Sequence, residues 1–428
     1  MRTHTSLEKQ TEQEIARFQN EALGEQIQYV LEHSAFYQHL FKTNNLDPKS
    51  IRTTEDLKKI PFTQKDDLQE FHDEFICASP RQIVDYSTTS GTQGKPVVIP
   101  QTEGDLQRLA YNEMRSLVCT GGTPDDIYQL TTTMNKQFMA GLAYFLGVRE
   151  LGAGIIRVGS GAIPLQWQNI MSLKPTALIV VPSFLVRMVD YAKANGIDYK
   201  NSAVKKAICI GEPLRNSQLD LNILGKRIKE EWDIELFSTY ASTEMATAFT
   251  ECEAGQGAHL QPDLIVAEVV DEEGNEVGNG EAGELVITPL GLEAFPLLRF
   301  KTGDICIKYT DKCSCGRNTL RLGPIVGRKN QMIKFKGTTI YPPAIFDILD
   351  GFSWLSLYQV QLLADEVGND KIVLNINLSE ENKIQELKEQ LAALLRVTPE
   401  IVQLQPSELN KLIFKESLRK PIKFADLR

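Results

Sequence analysis

The chain reads Ala177-Leu178-Ile179-Val180-Val181 within residues 127–243, where apolar runs alternate with amphipathic stretches, and this apolar run is typical of a strand buried on both faces. Residues 184–194 then show helical spacing, and Ala207-Ile208-Cys209-Ile210 forms a second apolar run. A further helix is predicted over 216–232 and a third strand over 235–240. Because strands and helices alternate, the pattern predicts βαβ units, a parallel sheet and an α/β fold.

Polar and small residues follow each of the three predicted strands. They are Pro182-Ser183, Gly211-Glu212-Pro213 and Ala241-Ser242-Thr243-Glu244. In parallel sheets, ligands collect beyond the carboxyl ends of the strands. The sequence therefore predicts a ligand site at this edge of the sheet.

A hydroxyl-rich loop precedes this region and reads Tyr86-Ser87-Thr88-Thr89-Ser90-Gly91-Thr92-Gln93-Gly94-Lys95-Pro96. Its two glycines allow successive N–H groups to face one anion, and its hydroxyls and lysine add donors. It is not a Walker A loop, because only Thr92 and Gln93 separate the glycines and Pro96 follows the lysine. Phosphate binding and an ordinary Ser/Gly turn are both compatible with this stretch taken alone.

The composition sets limits on the class of protein. At 428 residues the chain exceeds the size that one hydrophobic core usually supports, so two or more compact units are predicted. With 42% hydrophobic and 24% charged residues, it has the composition of a soluble globular protein. The net charge of -10 argues against nucleic acid and anionic membranes as partners, since both require clustered Lys and Arg.

The start of the chain has no apolar signal core, and the longest apolar runs are too short or too interrupted to span a bilayer. The chain has 7 cysteines, an odd number that fits reduced thiols better than a disulfide framework. Both observations predict a cytoplasmic protein.

Further regions flank the predicted sheet. The N-terminal part is mostly helical in pattern, and residues 268–307 are rich in strand and turn signals. After Gly327-Arg328 the pattern is that of a smaller α+β unit. We therefore predict a large domain over residues 1–327, with the parallel sheet and an additional β region, and a small C-terminal domain over residues 328–428.

Several motifs occur in one order along the chain and carry a family resemblance. They are Ser87 to Pro96, Gly211-Glu212-Pro213, Tyr240 to Glu244, Lys301-Thr302-Gly303-Asp304, Gly327-Arg328-Lys329-Asn330 and a lysine segment near the C-terminus. This ordered set resembles the adenylate-forming superfamily of acyl-CoA synthetases, luciferases and carrier-loading adenylation domains. Residues 56–68 and the stretch from Arg299 to Asp304 resemble its phenylacetate-CoA ligase branch in particular. The resemblance covers nearly the whole chain.

The resemblance implies a reaction in two halves. A carboxylate attacks the α-phosphorus of ATP and displaces pyrophosphate, and the acyl-adenylate then reacts with a thiol to give a thioester and AMP. Such transfers depend on positioning and charge stabilisation. The resemblance implies ATP with Mg²⁺ and CoA as cofactors, an aryl carboxylic acid as substrate, a mobile C-terminal lid and commonly a homodimer.

The same resemblance assigns roles to individual residues. The β- and γ-phosphates would contact Ser87, Thr88, Ser90, Gly91, Thr92, Gly94 and Lys95. The rest of the nucleotide would lie against Gly211, Glu212, Pro213, Tyr240, Ala241, Ser242, Asp304 and Arg328, with Asp304 accepting hydrogen bonds from the ribose hydroxyls. Glu244, next to Thr243, would be a Mg²⁺ ligand. Without the resemblance, Glu244 would be interpreted as the first-turn glutamate of a helix capped at Ser242-Thr243, and residues 302–304 as a turn.

The C-terminal segment reads Arg419-Lys420-Pro421, in register with the lysine that completes adenylation in this superfamily. That lysine would bridge the substrate carboxylate and the α-phosphate. The superfamily usually has Gly-Lys here, so Lys415 and Lys423 remain alternatives to Lys420. In relatives the lid rotates about a position matching Asn330, and Gly337 matches the glycine that lets pantetheine pass the backbone.

An acid pocket is expected among the apolar and aromatic residues between Tyr128 and Tyr144. Its candidate residues are Tyr128, Phe138, Met139, Ala140, Gly141 and Tyr144, together with Gly211 and Ala241. An apolar slot of this kind suits an aryl or arylacetic side chain, although aromatic clusters at this spacing more often form core. A carrier-protein thiol as acceptor, and a non-catalytic nucleotide-binding homologue, remain open as alternatives.

The cysteines suggest a second site. A Cys-x-Cys-Gly turn at Cys313 and Cys315 can point two thiolates at one ion, and Cys252 and His259 can complete a tetrahedral set. Many members of the resembled branch share this pattern, and we predict a structural zinc. The other cysteines, Cys77, Cys119, Cys209 and Cys306, are expected to be small buried hydrophobic residues.

Overall fold

The computed structural model describes residues 7–89, 96–335, 338–352, 354–355, 357–364, 370–378, 380–395, 398–414 and 422–428. The chain forms two compact units. The larger unit comprises Met1–Leu221, Gly225–Thr302 and Cys306–Pro324, and the smaller one comprises Asn222–Leu224, Gly303–Ile305 and Ile325–Arg428.

The helices and strands before residue 330 alternate along much of the chain. The α-helices are α1 (Glu12–His33), α2 (Ala35–Thr43), α3 (Lys65–Glu70), α4 (His72–Phe75), α5 (Glu103–Cys119), α6 (Met139–Leu151), α7 (Ile163–Leu173), α8 (Pro182–Ala194) and α9 (Ile223–Glu231). The strands are β1 (Ile83–Thr88), β2 (Val98–Thr102), β3 (Ile127–Leu130), β4 (Gly154–Arg157), β5 (Ala177–Val180), β6 (Lys206–Ile210), β7 (Glu235–Ser242), β8 (Thr247–Glu251), β9 (Ala258–His259), β10 (Ile265–Val270), β11 (Ala282–Pro289), β12 (Phe300–Tyr309) and β13 (Arg321–Arg328).

An 11-stranded sheet forms the centre of this part of the chain, in the order β10-β11-β12-β13-β9-β8-β7-β6-β5-β3-β4. Within this sheet the neighbouring strands β4, β3, β5, β6 and β7 pair in parallel. From β7 onward the pairing turns antiparallel, through β8 and β9 to β13. The predicted α/β fold with a parallel sheet and an additional β region is confirmed, and β1 and β2 form a separate antiparallel pair.

Strand β5 and helix α8 show why the sequence pattern was informative here. All four side chains of β5 are 0% exposed, as expected for a parallel strand covered on both faces. Helix α8 begins at Pro182, two residues before the predicted start, because proline is accommodated in the first helical turn where its missing N–H is not needed.

The helix predicted over 216–232 is wrong in its first part, because α9 begins only at Ile223. Asn216 Oδ1 accepts hydrogen bonds from the backbone N–H groups of Gln218 and Asp220, which holds a turn instead. Leu219 in this turn has a left-handed backbone with φ of 67°. The side chain of Asn216 therefore competes successfully with helix formation.

The smaller unit is an α+β structure. Its elements are β14 (Ile333–Phe335), β15 (Thr338–Ile340), α10 (Pro342–Asp350), β16 (Tyr358–Ala364), β17 (Asp370–Ile376), α11 (Glu381–Leu395), β18 (Glu400–Gln403), α12 (Pro406–Ile413) and β19 (Phe424–Asp426). Four of the strands form a sheet in the order β18-β17-β16-β19. Its core contains Val360, Leu362, Leu387 and Leu391, all 0% exposed.

None of the described helices combines the length and apolarity that crossing a membrane requires.

Candidate active site

Strands β1 and β2 hold both ends of the hydroxyl-rich loop. The backbone N–H of Thr89 donates to the Val97 carbonyl at 3.0 Å, and the Val97 N–H donates to Thr89 Oγ1 at 3.0 Å. The buried Ser87 hydroxyl donates to Gln101 Oε1 at 3.1 Å and so contributes to the hairpin. The remaining predicted phosphate ligands Ser90, Gly91, Thr92, Gly94 and Lys95 lie outside the described residues.

The segment between β3 and α6 contacts the start of this loop. The Thr88 N–H donates to the Gln137 carbonyl at 3.0 Å. Lys136 and Gln137 both have left-handed backbones, with φ of 57° and 54°. Consecutive residues in this region of φ/ψ space are uncommon without glycine, and such strain concentrates at functional sites. No sequence pattern predicts this contact.

The residues after β6 are held by the start of α8. Gly211 has φ of 77°, a left-handed conformation that glycine adopts without strain. The Glu212 carboxylate accepts from the Ser183 N–H at 2.9 Å and from the Ser183 hydroxyl at 2.8 Å. A carboxylate at a helix N-terminus is favoured by unpaired N–H groups and by the helix dipole. The sequence pattern predicts Ser183 at this edge but no role for it. In the structure, Ser183 orients the Glu212 carboxylate.

The segment Tyr240-Ala241-Ser242-Thr243-Glu244 forms the end of β7 and the turn into β8. The alternative interpretation of Glu244 as a helix N-terminal residue is wrong, because β7 continues through Ser242 and pairs antiparallel with β8. Residues 243–246 form the turn, and the Glu244 side chain is partly exposed there. Ser242 Oγ is buried and has no hydrogen-bond partner among the described residues. The hairpin thus presents a carboxylate and neighbouring hydroxyls at the predicted ligand edge.

Two predicted nucleotide ligands come together within the smaller unit. Arg328 Nε donates to Asp304 Oδ1 at 3.1 Å. The Asp304 side chain is 11% exposed and that of Arg328 is 37% exposed. The guanidinium therefore orients the carboxylate, and the pair remains reachable from solvent on its arginine side.

The predicted pocket residues divide into buried and partly exposed ones. Tyr128 and Tyr144 are 0% and 3% exposed and belong to a hydrophobic cluster that includes Ile208 and Ile210. Gly141 packs so closely against the backbone of Thr133 that a side chain there would clash. Phe138 and Ala140 are partly exposed at the start of α6. The cluster forms core under the start of α6, and the pocket itself stays a prediction.

Glu113 of α5 is a buried acid that the sequence analysis did not identify. It is 3% exposed and packs against Gly147 of α6. Its Oε1 accepts from Asn112 Nδ2 at 3.2 Å, and its Oε2 has no partner among the described residues. Burial raises the pKa of Glu113 to about 8. The side chain is therefore a neutral acid at neutral pH.

We expect Glu113→Gln to stabilise the protein, and increasingly so as the pH rises. The folded state holds this proton up to about pH 8, whereas the unfolded chain loses it near pH 4.5, so wild-type stability falls as the pH rises through that interval. The neutral glutamine avoids this loss and should add about 3 kcal/mol near neutral pH. Urea unfolding of both proteins at several pH values measures the difference. A difference that does not grow with pH would show that Glu113 is ionised in the folded state.

The C-terminal lysines are only partly within the described residues. Lys415, Lys420 and Gly337 lie outside them. Lys423 Nζ donates to both carboxylate oxygens of Asp350, at 3.0 and 3.1 Å, and lies 5.1 Å from the centre of the Tyr358 ring. This ion pair and ring contact engage Lys423 in the packing of the smaller unit.

The structure brings the four predicted metal ligands together. The ligand atoms of Cys252, His259, Cys313 and Cys315 all lie within 4.8 Å of one another. His259 Nδ1 is 2.9 Å from Thr319 Oγ1, which leaves Nε2 directed at the cysteines, 3.4 Å from Cys315 Sγ. A hydrogen bond at the remote ring nitrogen is a common way to orient a metal-binding histidine.

The protonation states of His259 and Cys315 also fit a metal site, whereas burial raises the pKa of the Cys252 thiol. Burial, assisted by Arg317 and Arg321, lowers the pKa of His259 to about 3, so its ring is neutral as a ligand requires. Burial opposes ionisation of Cys315, but hydrogen bonds from Arg317 and the neighbouring thiols outweigh it and lower the pKa of Cys315. A neutral imidazole and thiolates are the donors that zinc prefers.

The larger unit and the chain as a whole are similar to known proteins. A model of the AMP-binding enzyme family matches residues 16–292. A phenylacetate-coenzyme A ligase from Thermus thermophilus is 30% identical over 379 residues, which cover 87% of this chain and 84% of that protein. A phenylacetate-coenzyme A ligase from Escherichia coli is 26% identical over 374 residues, covering 86% of this chain and 83% of that protein.

Among solved structures, 2-hydroxyisobutyryl-CoA ligase in the postadenylation state matches with a TM-score of 0.85 and 22% identity, covering 99% of this chain and 92% of that one. This similarity confirms the fold. The family match spans more than half of the chain, and the sequence similarity to the two ligases extends over most of it. The chain therefore belongs to the AMP-binding enzyme family, in the branch that contains the phenylacetate-coenzyme A ligases.

Proposed function

We propose that this protein is an ATP-dependent acid-CoA ligase that acts on phenylacetate or a similar aryl acid. The observation that carries the proposal is the extent of the similarity to the Thermus thermophilus ligase. It covers 87% of the chain, and the larger unit ends at Pro324, so the similarity extends into the smaller unit. The similarity to the ligase therefore includes parts of both units, which supports a proposal that covers both half-reactions.

In the first half-reaction the acid carboxylate attacks the α-phosphorus of ATP and pyrophosphate leaves. Asp304, oriented by Arg328, would accept hydrogen bonds from the ribose hydroxyls. The loop from Thr88 to Lys95 would hold the β- and γ-phosphates through its N–H groups, hydroxyls and lysine. Lys420 would donate to both the carboxylate and the α-phosphate and so stabilise the charge that develops between them.

The donors at the β7–β8 turn fit Mg²⁺. They are the carboxylate of Glu244 and the hydroxyls of Ser242 and Thr243, and Mg²⁺ prefers oxygen ligands. The buried Ser242 Oγ without a partner among the described residues is suited to a phosphate or a metal-bound water. When bound, Mg²⁺ would neutralise phosphate charge, with Glu244 as its protein ligand.

In the second half-reaction the thiol of CoA attacks the acyl carbonyl, and AMP leaves as the thioester forms. Gly337 would let pantetheine pass close to the backbone, because it carries no side chain. The acyl group would lie against Phe138 and Ala140, above the buried Tyr128, Gly141 and Tyr144. This surface is apolar and aromatic, which favours an aryl side chain over a charged one.

We expect acid-dependent ATP–pyrophosphate exchange to be about tenfold faster with arylacetates than with short aliphatic acids. Addition of CoA should then yield AMP and a thioester in equal amounts. Glu244→Gln, which keeps the size of the side chain and removes its charge, should lower exchange with every acid and serves as the matched control. Exchange without a thioester would indicate another acceptor, such as a carrier protein. Absence of exchange with all acids would favour a nucleotide-binding homologue.

Zinc bound to Cys252, His259, Cys313 and Cys315 would be structural, because four protein ligands leave no open coordination position. It would connect the chain after β8 with the turn between β12 and β13. A cytoplasmic location and a homodimeric assembly also belong to this proposal, and size-exclusion chromatography with light scattering measures the second.

A further inference from the structure

The buried Arg108 of α5 donates hydrogen bonds to the chain that leaves the β7–β8 turn. Its side chain is 0% exposed. Nη1 donates to the Ala246 carbonyl at 2.7 Å, and Nη2 donates to Thr247 Oγ1 at 3.0 Å. The same guanidinium donates to the carbonyls of Leu264 and Leu290, at 2.5 and 2.8 Å. All four acceptors are uncharged oxygens, so the guanidinium connects several chain segments through one rigid planar group.

A second residue of α5 holds the next position of the same segment. Asn112, one helical turn beyond Arg108, is also 0% exposed. Its Oδ1 accepts from the Ala248 N–H at 3.1 Å. Side chains four residues apart lie on one face of a helix. One face of α5 therefore binds Ala246, Thr247 and Ala248 in succession.

The segment held in this way has an unusual backbone. Ala246 has φ of 44°, in the left-handed region that non-glycine residues rarely adopt. Such conformations persist where surrounding contacts enforce them, and they cluster at functional sites. The Arg108 bond goes to the carbonyl of this residue. Ala246 lies two positions after Glu244 in the same four-residue turn, so the bond from Arg108 fixes the backbone of the turn that carries Glu244.

We propose that Arg108 is a positioning residue for Glu244 and thereby for the Mg²⁺ form of ATP. The inference rests on the proposed function, in which Glu244 holds Mg²⁺. Without the guanidinium, the left-handed turn loses a buried, charged hydrogen-bond donor, and the carboxylate samples orientations that do not fit the metal. Groups that orient a metal ligand typically change metal affinity by about 10- to 100-fold when they are removed.

The same helix offers a matched control. Arg115 is also buried, at 8% exposed, but its side-chain hydrogen bond and ion pair among the described residues go to Glu8, near the start of the described chain. Arg108→Lys and Arg115→Lys are therefore the same substitution in the same helix, with loss of buried hydrogen bonds in both. Thr247→Val is a milder second variant that nearly preserves the shape of the residue. It removes the Oγ1 acceptor of Arg108 and also the Oγ1 donor to the Met245 carbonyl at 3.0 Å.

The test measures ATP binding by isothermal titration calorimetry at a series of Mg²⁺ concentrations, with AMP binding as a reference. For Arg108→Lys, and more weakly for Thr247→Val, we expect the Mg²⁺ concentration for half-maximal ATP binding to rise by about 10- to 100-fold. Arg115→Lys should change it by less than about twofold, and AMP affinity should stay within about threefold in all variants. Circular dichroism confirms that each variant is folded.

Equal Mg²⁺ dependence in Thr247→Val, Arg115→Lys and a folded Arg108→Lys would overturn the positioning role and leave Arg108 as a structural residue only. If Arg108→Lys does not fold, an unchanged Mg²⁺ dependence in Thr247→Val overturns it by itself. A wild-type protein that binds no ATP at any Mg²⁺ concentration would overturn the proposed function together with this inference. If the wild type catalyses ATP–pyrophosphate exchange and Arg108→Lys has the same Mg²⁺ dependence of ATP binding as the wild type, the inference alone is overturned.

Discussion

Lys420→Ala should lower the rate of acyl-adenylate formation by about 10³-fold while leaving thioester formation from supplied acyl-adenylate within about threefold. A lysine that contacts both the carboxylate and the α-phosphate stabilises charge that develops only during adenylation. Its loss therefore affects one half-reaction. Single-turnover measurements of each half-reaction separate the two effects, with pyrophosphate release reporting the first and thioester the second.

Lys423→Ala and Lys415→Ala are the comparators for this result. Lys423 forms an ion pair with Asp350, so we expect its substitution to reduce the stability of the smaller unit by about 1 kcal/mol and to leave adenylation largely intact. Loss of adenylation in Lys423→Ala or Lys415→Ala, with normal activity in Lys420→Ala, would reassign the catalytic lysine. Equal loss of both half-reactions in Lys420→Ala would show a structural role for that residue.

Substitution of Cys313 by alanine should remove a bound zinc and lower the melting temperature by about 5–7 °C. A structural zinc contributes its binding free energy to the folded state, and its ligands here connect chain segments on both sides of β9. A loss of about 3–5 kcal/mol corresponds to a shift of this size. Metal analysis of the purified protein should find about one zinc per chain in the wild type and close to none in Cys313→Ala.

Cys119→Ala is the control for the zinc site. Cys119 packs in the same buried cluster as Cys252 and Cys313, and its thiol lies 3.4 Å from the Thr250 carbonyl. It is not one of the four residues whose ligand atoms converge. We therefore expect Cys119→Ala to retain zinc. If Cys119→Ala loses as much metal as Cys313→Ala, the ligand set is wrong, and wild-type protein free of zinc would contradict the site itself.

The elements that sequence patterns predicted correctly are those whose local signal and burial agree. Strand β5 is a continuous apolar run and is buried along its whole length. Helix α9 was predicted too long because apolar spacing carried no information about the side chain of Asn216, which holds a turn. Glu244 lies just after the end of β7, at the edge that the sequence predicts. The sequence also allowed a helix to begin there, whereas the structure has a β-hairpin.

Local pattern and spacing in the sequence were enough to predict the α/β class, the order of the proposed nucleotide-binding motifs, and the cysteines and histidine of the proposed metal site. Three contacts depend on how the elements pack: Ser183 orients Glu212, Arg328 pairs with Asp304, and Arg108 holds the turn after Glu244. No local pattern predicts them, because the hydrogen bonding and burial of a side chain depend on residues distant in sequence that come close only in the folded chain.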